Sequence, residues 1–408
     1  MSDSKPKICI IGAGPVGCTV SLFLSKHKIT HVVVDKAKFP RDKVCGDGFT
    51  YEVVRALAEI DPLLAEEFQE ADFVEPSGGF YVQNQKGNNA LYPTDKFGPD
   101  FYPVYVAKRI DFDDWLFRKI SSEYAEVREE TSVEHINENG NGYSLSLKSP
   151  LKGDYEEYFD FLIGADGERS IVKKYLSSDG IKKKRDSYYG TLRTYYSGVK
   201  PISDKSPIEF HFLPNGMTGY LWIFRCTNDV YNVGIGIKSN EVSDQNINIR
   251  QVFNDYLEKT PHLKDRFKNA KPLDKLKGWG IPLNSNRFPL YGNGYVLIGD
   301  SAYMPEPHTG KGIGTAMFAA YLAIPTLLKA IENKDFSKPS LSGYQKAIEK
   351  AYYKEWDLQA KFEKWMYSSL GKQVLLKGKH FPFLAKPALK KIVTDMKRFS
   401  IPKGLKPE

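Results

Sequence analysis

Lys7-Ile8-Cys9-Ile10-Ile11-Gly12-Ala13-Gly14-Pro15-Val16-Gly17, followed one helix length later by Val32-Val33-Val34-Asp35, is the stretch that decides the fold. The apolar run before Gly12 reads as a buried strand of a parallel sheet. Gly12 permits a tight turn, Gly14 lets backbone approach a pyrophosphate, and Gly17 lets the next helix pack close to the strand. That helix is expected to begin at Pro15, whose fixed φ suits the first helical position. Its free N–H groups, from Val16 onward, would face phosphates. Asp35 ends the second strand, eighteen residues beyond Gly17, where a carboxylate can accept hydrogen bonds from a ribose. Strand, turn, helix and acid together predict a dinucleotide site. The blander reading is an ordinary glycine turn.

The remaining totals exclude more than they specify. The 408 residues allow two or three domains or one intertwined unit, and 41% hydrophobic with 26% charged residues is ordinary for a globular chain. The net charge of +8 gathers towards the C-terminus, and no basic motif interleaved with aromatics points to nucleic acid. Cys9, Cys18, Cys45 and Cys226 are widely spaced without a metal-ligand pattern, so a reducing compartment is expected and no metal is. Cys9 and Cys18 read as small core residues. Met1 to Lys7 is polar and the apolar run Met317 to Leu328 contains Pro325. A cytoplasmic location follows as an expectation.

Along the chain, residues 36–48 carry no apolar periodicity and read as a loop, whereas Thr50 to Ile60 reads as a helix. Residues 73–101 are strand-like and turn-rich. Asp111 is the expected N-cap of a helix carrying Phe112, Trp115, Leu116 and Ile120. Val127 to Val133 and a hairpin turn at Asn139-Gly140-Asn141-Gly142 follow. Tyr158 to Ile163 reads as one buried strand ending at Gly164-Ala165-Asp166-Gly167. From Ser187 to Gly280 the pattern is mostly strand, interrupted by one helix over about residues 246–257. Tyr295 to Asp300 reads as another apolar strand, Gly312 opens a long helix, and the tail from Ser340 is helical and increasingly basic. Gly17 with Asp35, Asp166-Gly167 and Gly299-Asp300 thus repeat a glycine with an acid after a hydrophobic strand. Such corners suggest a ligand lying across the carboxyl ends of a sheet.

The order of this fingerprint, Cys45-Gly46-Asp47-Gly48, Arg109, Gly164-Ala165-Asp166-Gly167 and Gly299-Asp300 resembles the flavin-dependent oxidoreductases of the para-hydroxybenzoate hydroxylase superfamily. Phe39-Pro40-Arg41 before the Cys45 loop, and Gly219-Tyr220-Leu221-Trp222-Ile223-Phe224, are most similar to the geranylgeranyl reductase family. The resemblance covers roughly residues 6 to 325. Two positions depart from that family's usual pattern: Arg225 follows Phe224 where Pro is usual, and Asp47 stands where Glu is commoner. The second tryptophan-rich motif of the halogenases is absent.

The resemblance implies an α/β fold in which a Rossmann-like FAD-binding domain of the glutathione reductase type is interleaved with an antiparallel-sheet substrate domain. A helical C-terminal region follows. The FAD-binding part would comprise residues 1–72, 104–186 and 285–332; the substrate part, 73–103 and 187–284; the C-terminal region, 333–408. The implied cofactor is FAD. Asp35 would hold its adenosine ribose, backbone near Val133 would lie against the adenine, and Arg109 would contact it. Asp166-Gly167 would shape the region beside the pyrophosphate, and Asp300 would bind the ribityl chain. Lys36, Arg41, Gly46 and Gly48 complete that cofactor set. Pro307, Gly310, Gly312 and Ile313 would bring backbone close to the isoalloxazine ring. A helix N-terminus there suits the negative charge of a reduced flavin. Lys311 could add charge to it or lie solvated. Cys45 would lie near the flavin, with a catalytic role or a packing one. His308 is a candidate proton donor. Tyr220 and Trp222 would line a substrate cavity, Trp222 also being a catalytic candidate, unless they are simply sheet core.

Three functions stay open on this basis. The first is reduction of carbon–carbon double bonds in an isoprenoid or other apolar substrate, with NAD(P)H or a reduced protein as electron donor. The second is aromatic-ring hydroxylation with NAD(P)H and oxygen. The third is a flavin-bound lipid- or partner-binding protein without turnover. Lys372, Lys377, Lys379, Lys386, Lys390, Lys391, Lys397 and Arg398 are interleaved with Leu375, Leu376, Phe381, Phe383 and Leu384. This pattern is either a solvated basic face or a peripheral contact with the inner membrane face.

Overall fold

The computed structural model describes residues 5–84, 86–93, 104–176, 188–284 and 287–373, the side chain of Tyr92 apart. The first strand, Ile8–Ile11, is wholly buried and lies between Phe161–Gly164 and His31–Val34, parallel to both. Tyr295–Leu297 pairs parallel to Phe161–Gly164, and Ala125–Arg128 parallel to His31–Val34. A short antiparallel strand, Tyr291–Gly292, closes one edge. Burial on both faces explains why these strands read as continuous apolar runs. Ile11, Val34 and Gly164 are register partners, as are Gly164 and Leu297. The glycines and acids that follow these strands therefore emerge along one edge of the sheet.

Helix Pro15–Lys26 begins where expected and Tyr51–Ile60 starts one residue after Thr50. Both pack against Ile313–Glu332. That twenty-residue helix is long and apolar enough to cross a bilayer by length and composition, yet most of it is buried inside the protein. Lys338–Ile348 covers it from the other side.

The second large sheet takes strands from two separate parts of the chain. Its order is Lys271–Pro272, Tyr188–Ser197, Val230–Lys238, Gly219–Arg225, Ile208–Phe212, Gly79–Gln83, Asn89–Pro93, with Lys277–Pro282 also on Tyr188–Ser197. All pairs are antiparallel except Gly79–Gln83 with Ile208–Phe212. Along Gly219–Arg225 the side chains alternate. Tyr220, Trp222 and Phe224 join one apolar cluster, while Leu221 and Ile223 pack with Phe253 and Leu257 on the other face.

Several local expectations need correction. Tyr158 to Ile163 is two strands, Gly153–Phe159 and Phe161–Gly164, in different sheets. Asp160 makes the break: its N–H donates to the Lys7 carbonyl and its carboxylate accepts from the Lys7 N–H at 2.7 Å. Val127 to Val133 is likewise divided between Ala125–Arg128 and Ser132–Asn139, although the hairpin turn that follows falls at Gly140-Asn141 as expected. Asp111 is not an N-cap; the helix starts at Arg109, placing Asp111 in its favourable first turn. Between Val230–Lys238 and Lys271–Pro272 there are three helices, Ser239–Asp244, Ile249–Lys259 and Pro261–Phe267, the last restarted by a proline at its first position. The apolar strand from Tyr295 stops at Leu297, because Gly299, at φ +83°, turns the chain into a 3₁₀ turn over Gly299–Ala302. The tail is helical over Lys338–Ile348 and Lys354–Met366. Of its basic run only Lys372 lies among the described residues.

Candidate active site

The carboxyl edge of the parallel sheet starts from Gly12. Its φ of +99° is a left-handed conformation, and a Cβ there would sit 2.6 Å from the Ala165 carbonyl oxygen. A Cβ on Gly17 would overlap the Gly12 carbonyl oxygen, so strand and helix meet through glycine on both sides. Gly14 is the N-cap of Pro15–Lys26, with no side-chain cap and no acid in the first turn. The first amides of that helix are thus left for a ligand, and the helix end carries partial positive charge. Arg41 adds a full charge, its Nη2 standing 3.4 Å from the place a Gly14 Cβ would take.

Asp35 is anchored but not saturated. Its Oδ2 accepts from the Ala13 N–H at 2.7 Å and its Oδ1 from the Ala37 N–H at 2.8 Å. Each oxygen keeps a lone pair, enough for vicinal hydroxyls. The Thr131 N–H donates to the Asp35 carbonyl, which carries the chain past it to the partly buried Val133. Lys36 is exposed.

Arg109 is buried and forms two bonds to Asp113, Nε to Oδ1 at 2.6 Å and Nη2 to Oδ2 at 2.7 Å. Arg41 Nη1 joins the same Oδ2 at 2.9 Å. The Arg109 guanidinium also lies near enough to Cys45 for its charge to lower the thiol pKa against the effect of burial. Asp113, absent from the sequence-based candidates, therefore orders two arginines; the visible signal was its place four residues after Arg109 on one helix.

At the next strand end, Asp166 Oδ2 accepts from the Ile171 N–H at 2.6 Å, at the start of helix Ile171–Leu176. Its Oδ1 is buried without a partner among the described residues. Gly167, at φ +78°, borders open space. Asp300 lies in the turn after the Tyr295 strand, and its carboxylate has no hydrogen bond among the described residues. Its Oδ1 is 3.8 Å from the position of a Gly312 Cβ. Gly312 is the uncapped N-cap of Ile313–Glu332, again with no acid in the first turn, and Gly310 before it has φ +67°. Lys311 is not solvated: its Nζ is paired with Glu52 at 2.5 Å and Glu306 at 2.9 Å. Pro307 is buried. His308 packs edge-on to Phe362, its Nδ1 is buried without a partner among the described residues, and burial lowers its pKa.

The Cys45 loop is tied to the second sheet. The Asn232 amide donates to the Cys45 carbonyl at 2.8 Å and to Asp47 Oδ2 at 2.7 Å, and Tyr195 donates to that oxygen at 2.6 Å. Trp222 Nε1 is engaged by Asn232 Oδ1 at 2.8 Å. A Cβ on Gly46 would lie 3.5 Å from Trp222 Nε1, and one on Gly48 would lie 3.5 Å from the Phe224 ring. Tyr220 donates to the Thr309 carbonyl, and its hydroxyl is 3.9 Å from a Gly310 Cβ position. One strand therefore lays Tyr220, Trp222 and Phe224 across Gly310, Gly46 and Gly48 in turn. Lys43 stands in this loop with its Nζ 3.6 Å from the centre of the Trp279 ring, and burial lowers its pKa to about 8. Lys43, Tyr195 and Asn232 were not singled out from sequence. Nothing local marks them, since their partners lie far away in the chain.

Two uncapped helix ends, an unsaturated carboxylate at each of two strand ends and glycines where side chains would intrude fit a long dinucleotide with a ring at its far end. Residues 5–336 match the FAD binding domain family. The chain is 27% identical over 353 residues to the digeranylgeranylglycerophospholipid reductase of Methanococcus vannielii, covering 85% of this chain and 83% of that protein. It is 26% identical over 352 residues to the protein of that name in Methanocaldococcus jannaschii, with 85% and 83% covered. Among solved structures, a geranylgeranyl bacteriochlorophyll reductase-like protein of Thermoplasma acidophilum superposes with a TM-score of 0.78 at 19% identity, covering 97% and 99%. A triple mutant of a flavin-dependent brominase, Bmp2, superposes with a TM-score of 0.77 at 19% identity, covering 98% and 96%.

Proposed function

Because the chain belongs to the FAD binding domain family and is an FAD-dependent oxidoreductase, we propose that it reduces carbon–carbon double bonds of an isoprenoid or comparably apolar substrate. The fold does not choose among chemistries, since a brominase shares it. The observation that carries the reading is the row Tyr220, Trp222, Phe224 above the Gly310 and Gly46–Gly48 backbones. It sets three aromatic side chains directly against the backbone at Gly310, Gly46 and Gly48, an apolar wall that suits a flat ring and an apolar chain lying beside it. The names of the relatives at 27% and 26% identity support the same substrate class.

Asp35 would hold the adenosine ribose, and the Gly12–Gly17 turn with Arg41 would hold the pyrophosphate. Asp300 would take the ribityl hydroxyls, and the amides at Gly312 and Ile313 would face the ring. Bound there in its reduced form, FAD would supply the hydride. The chain's own task is to exclude water, orient the double bond and deliver a proton to its other carbon. The Cys45 thiol is the candidate for that proton. Burial raises its pKa and keeps it protonated, while the positive charge of Arg109 nearby would stabilise the thiolate left behind. His308, with its pKa lowered by burial, is neutral at pH 7 and a poorer source.

Incubating the dithionite-reduced protein with a geranylgeranyl lipid and, separately, with a phenol under air tests this. Mass spectrometry is expected to find one hydrogen pair added per double bond in the lipid. Ring hydroxylation with an unaltered prenyl chain would overturn the proposal.

A further inference from the structure

Asp47 is the least comfortable residue around the active site. It sits in the middle of the Cys45 loop at φ +63°, is wholly buried, and carries a carboxylate. Its Oδ2 accepts from both Tyr195 and Asn232, whereas its Oδ1 is buried with no partner among the described residues. A left-handed backbone and a half-satisfied buried acid both work against stability, and such features concentrate where function requires them. The partners of Asp47 also converge on one neighbour. The Asn232 amide that donates to its carboxylate donates as well to the Cys45 carbonyl, so one side chain ties both residues to the second sheet. Asn232 is itself held by the Trp222 indole.

We propose that Asp47 is a positioning residue for Cys45, tying its loop to the second sheet and using its negative charge to keep Cys45 a neutral thiol. The need for such a group follows from the other charges present. Arg109 and Lys43 lie near enough to Cys45 to act on it as cations and favour the thiolate, and Tyr220 stands near it uncharged. Asp47 is the anion beside them, and it acts with burial to oppose them. Around Asp47 itself stand Tyr195, Arg193, Arg109 and Cys226. The Arg193 guanidinium lies 4.2 Å from the Tyr195 ring centre and engages Asp42 and Asp274. The importance of a neutral thiol rests on the reading of Cys45 as proton source; the effect of Asp47 on the thiol does not.

Asp47→Asn separates the charge from the geometry. An amide oxygen in the Oδ2 position can still accept from Tyr195 and Asn232. Cys45 is the one cysteine that is partly exposed, Cys9, Cys18 and Cys226 being buried. Its titration can therefore be followed in the FAD-loaded protein by iodoacetamide alkylation against pH, read at the Cys45 peptide by mass spectrometry. The midpoint is expected to fall by about one pH unit in Asp47→Asn, giving about ten-fold faster alkylation below both midpoints. Asp47→Glu, which keeps the charge, is expected to retain the wild-type midpoint. A midpoint unchanged in Asp47→Asn overturns the proposal, including when only the limiting rate at high pH has risen, because that reports access alone. Should Asp47→Asn fail to accumulate with FAD bound, Asp47→Ser reads the same midpoint. Failure to saturate any prenyl substrate would count against the proposed reaction and leave this shift standing.

Discussion

Asp113→Asn is the most informative single change at the cofactor end. The Asp113 carboxylate is completely shielded and takes three charge-assisted hydrogen bonds, two from Arg109 and one from Arg41. The Arg109 side chain is only 8% exposed, so it cannot turn to water when its partner is lost. An amide in place of the carboxylate keeps one acceptor and points N–H groups at guanidinium donors. Removing one partner of a buried pair costs about 3–5 kcal/mol. At about 3 kcal/mol per M, the upper end of ordinary urea slopes, the unfolding midpoint should drop by about 1–2 M. Arg41, 20% exposed, would also leave its station beside Gly14. Losing one charge-assisted contact to a phosphate corresponds to about 1.5–3 kcal/mol, or about 10–150-fold weaker FAD binding. Urea unfolding of the FAD-free protein and flavin fluorescence titration measure the two effects separately. An unchanged midpoint together with FAD affinity within about two-fold of wild type would refute the ordering role assigned to Asp113.

Gly12→Ala should abolish FAD retention, because its Cβ meets the Ala165 carbonyl oxygen at 2.6 Å in a left-handed turn; the flavin-to-protein absorbance ratio after purification reports it. Lys311→Met should destabilise the protein by about 3–5 kcal/mol at neutral pH, since Glu52 and Glu306 lose their shared cation. The loss should shrink as the pH is lowered, because Lys311 is what holds the Glu52 pKa below its usual value against burial. Asp47 should give a pH dependence of its own. Burial raises its pKa from 3.8 to about 6, so its contribution is most favourable below pH 4 and is lost as the pH rises through about 6. The difference corresponds to about 3 kcal/mol. Urea unfolding of Asp47→Asn should accordingly show a gain over wild type at pH 7 that vanishes near pH 4. Trp222→Phe should keep FAD but raise KM, since Asn232 loses the indole donor that steadies the Cys45 loop.

The parallel sheet was readable because its information is local. Apolar runs, the glycines at 12, 14 and 17, and the acid at 35 each act within a few residues, and the strand ends follow from them. Asn139-Gly140-Asn141-Gly142 worked for the same reason, its turn lying between two paired strands. Local patterns failed where a tertiary contact overrode them. Phe159 and Phe161 are alike as sequence, yet Asp160 clamps onto Lys7 and sends them to different sheets. The same limit applies at the active site. Cys45 and Trp222 could be nominated by type, but the Asn232 side chain that joins them lies 187 residues beyond Cys45. Lys311 reads from sequence as either a charge for the flavin or a solvated lysine, and its pairing with Glu52, 259 residues away, has no local signal.

Anaerobic mixing of the dithionite-reduced, FAD-loaded protein with a geranylgeranyl lipid tests the central claim most directly. The proposed reduction predicts that the yellow colour of oxidised flavin returns without oxygen, with one hydrogen pair gained by the lipid for each flavin reoxidised. Flavin that stays reduced until oxygen is admitted, with the lipid recovered unchanged, would contradict it.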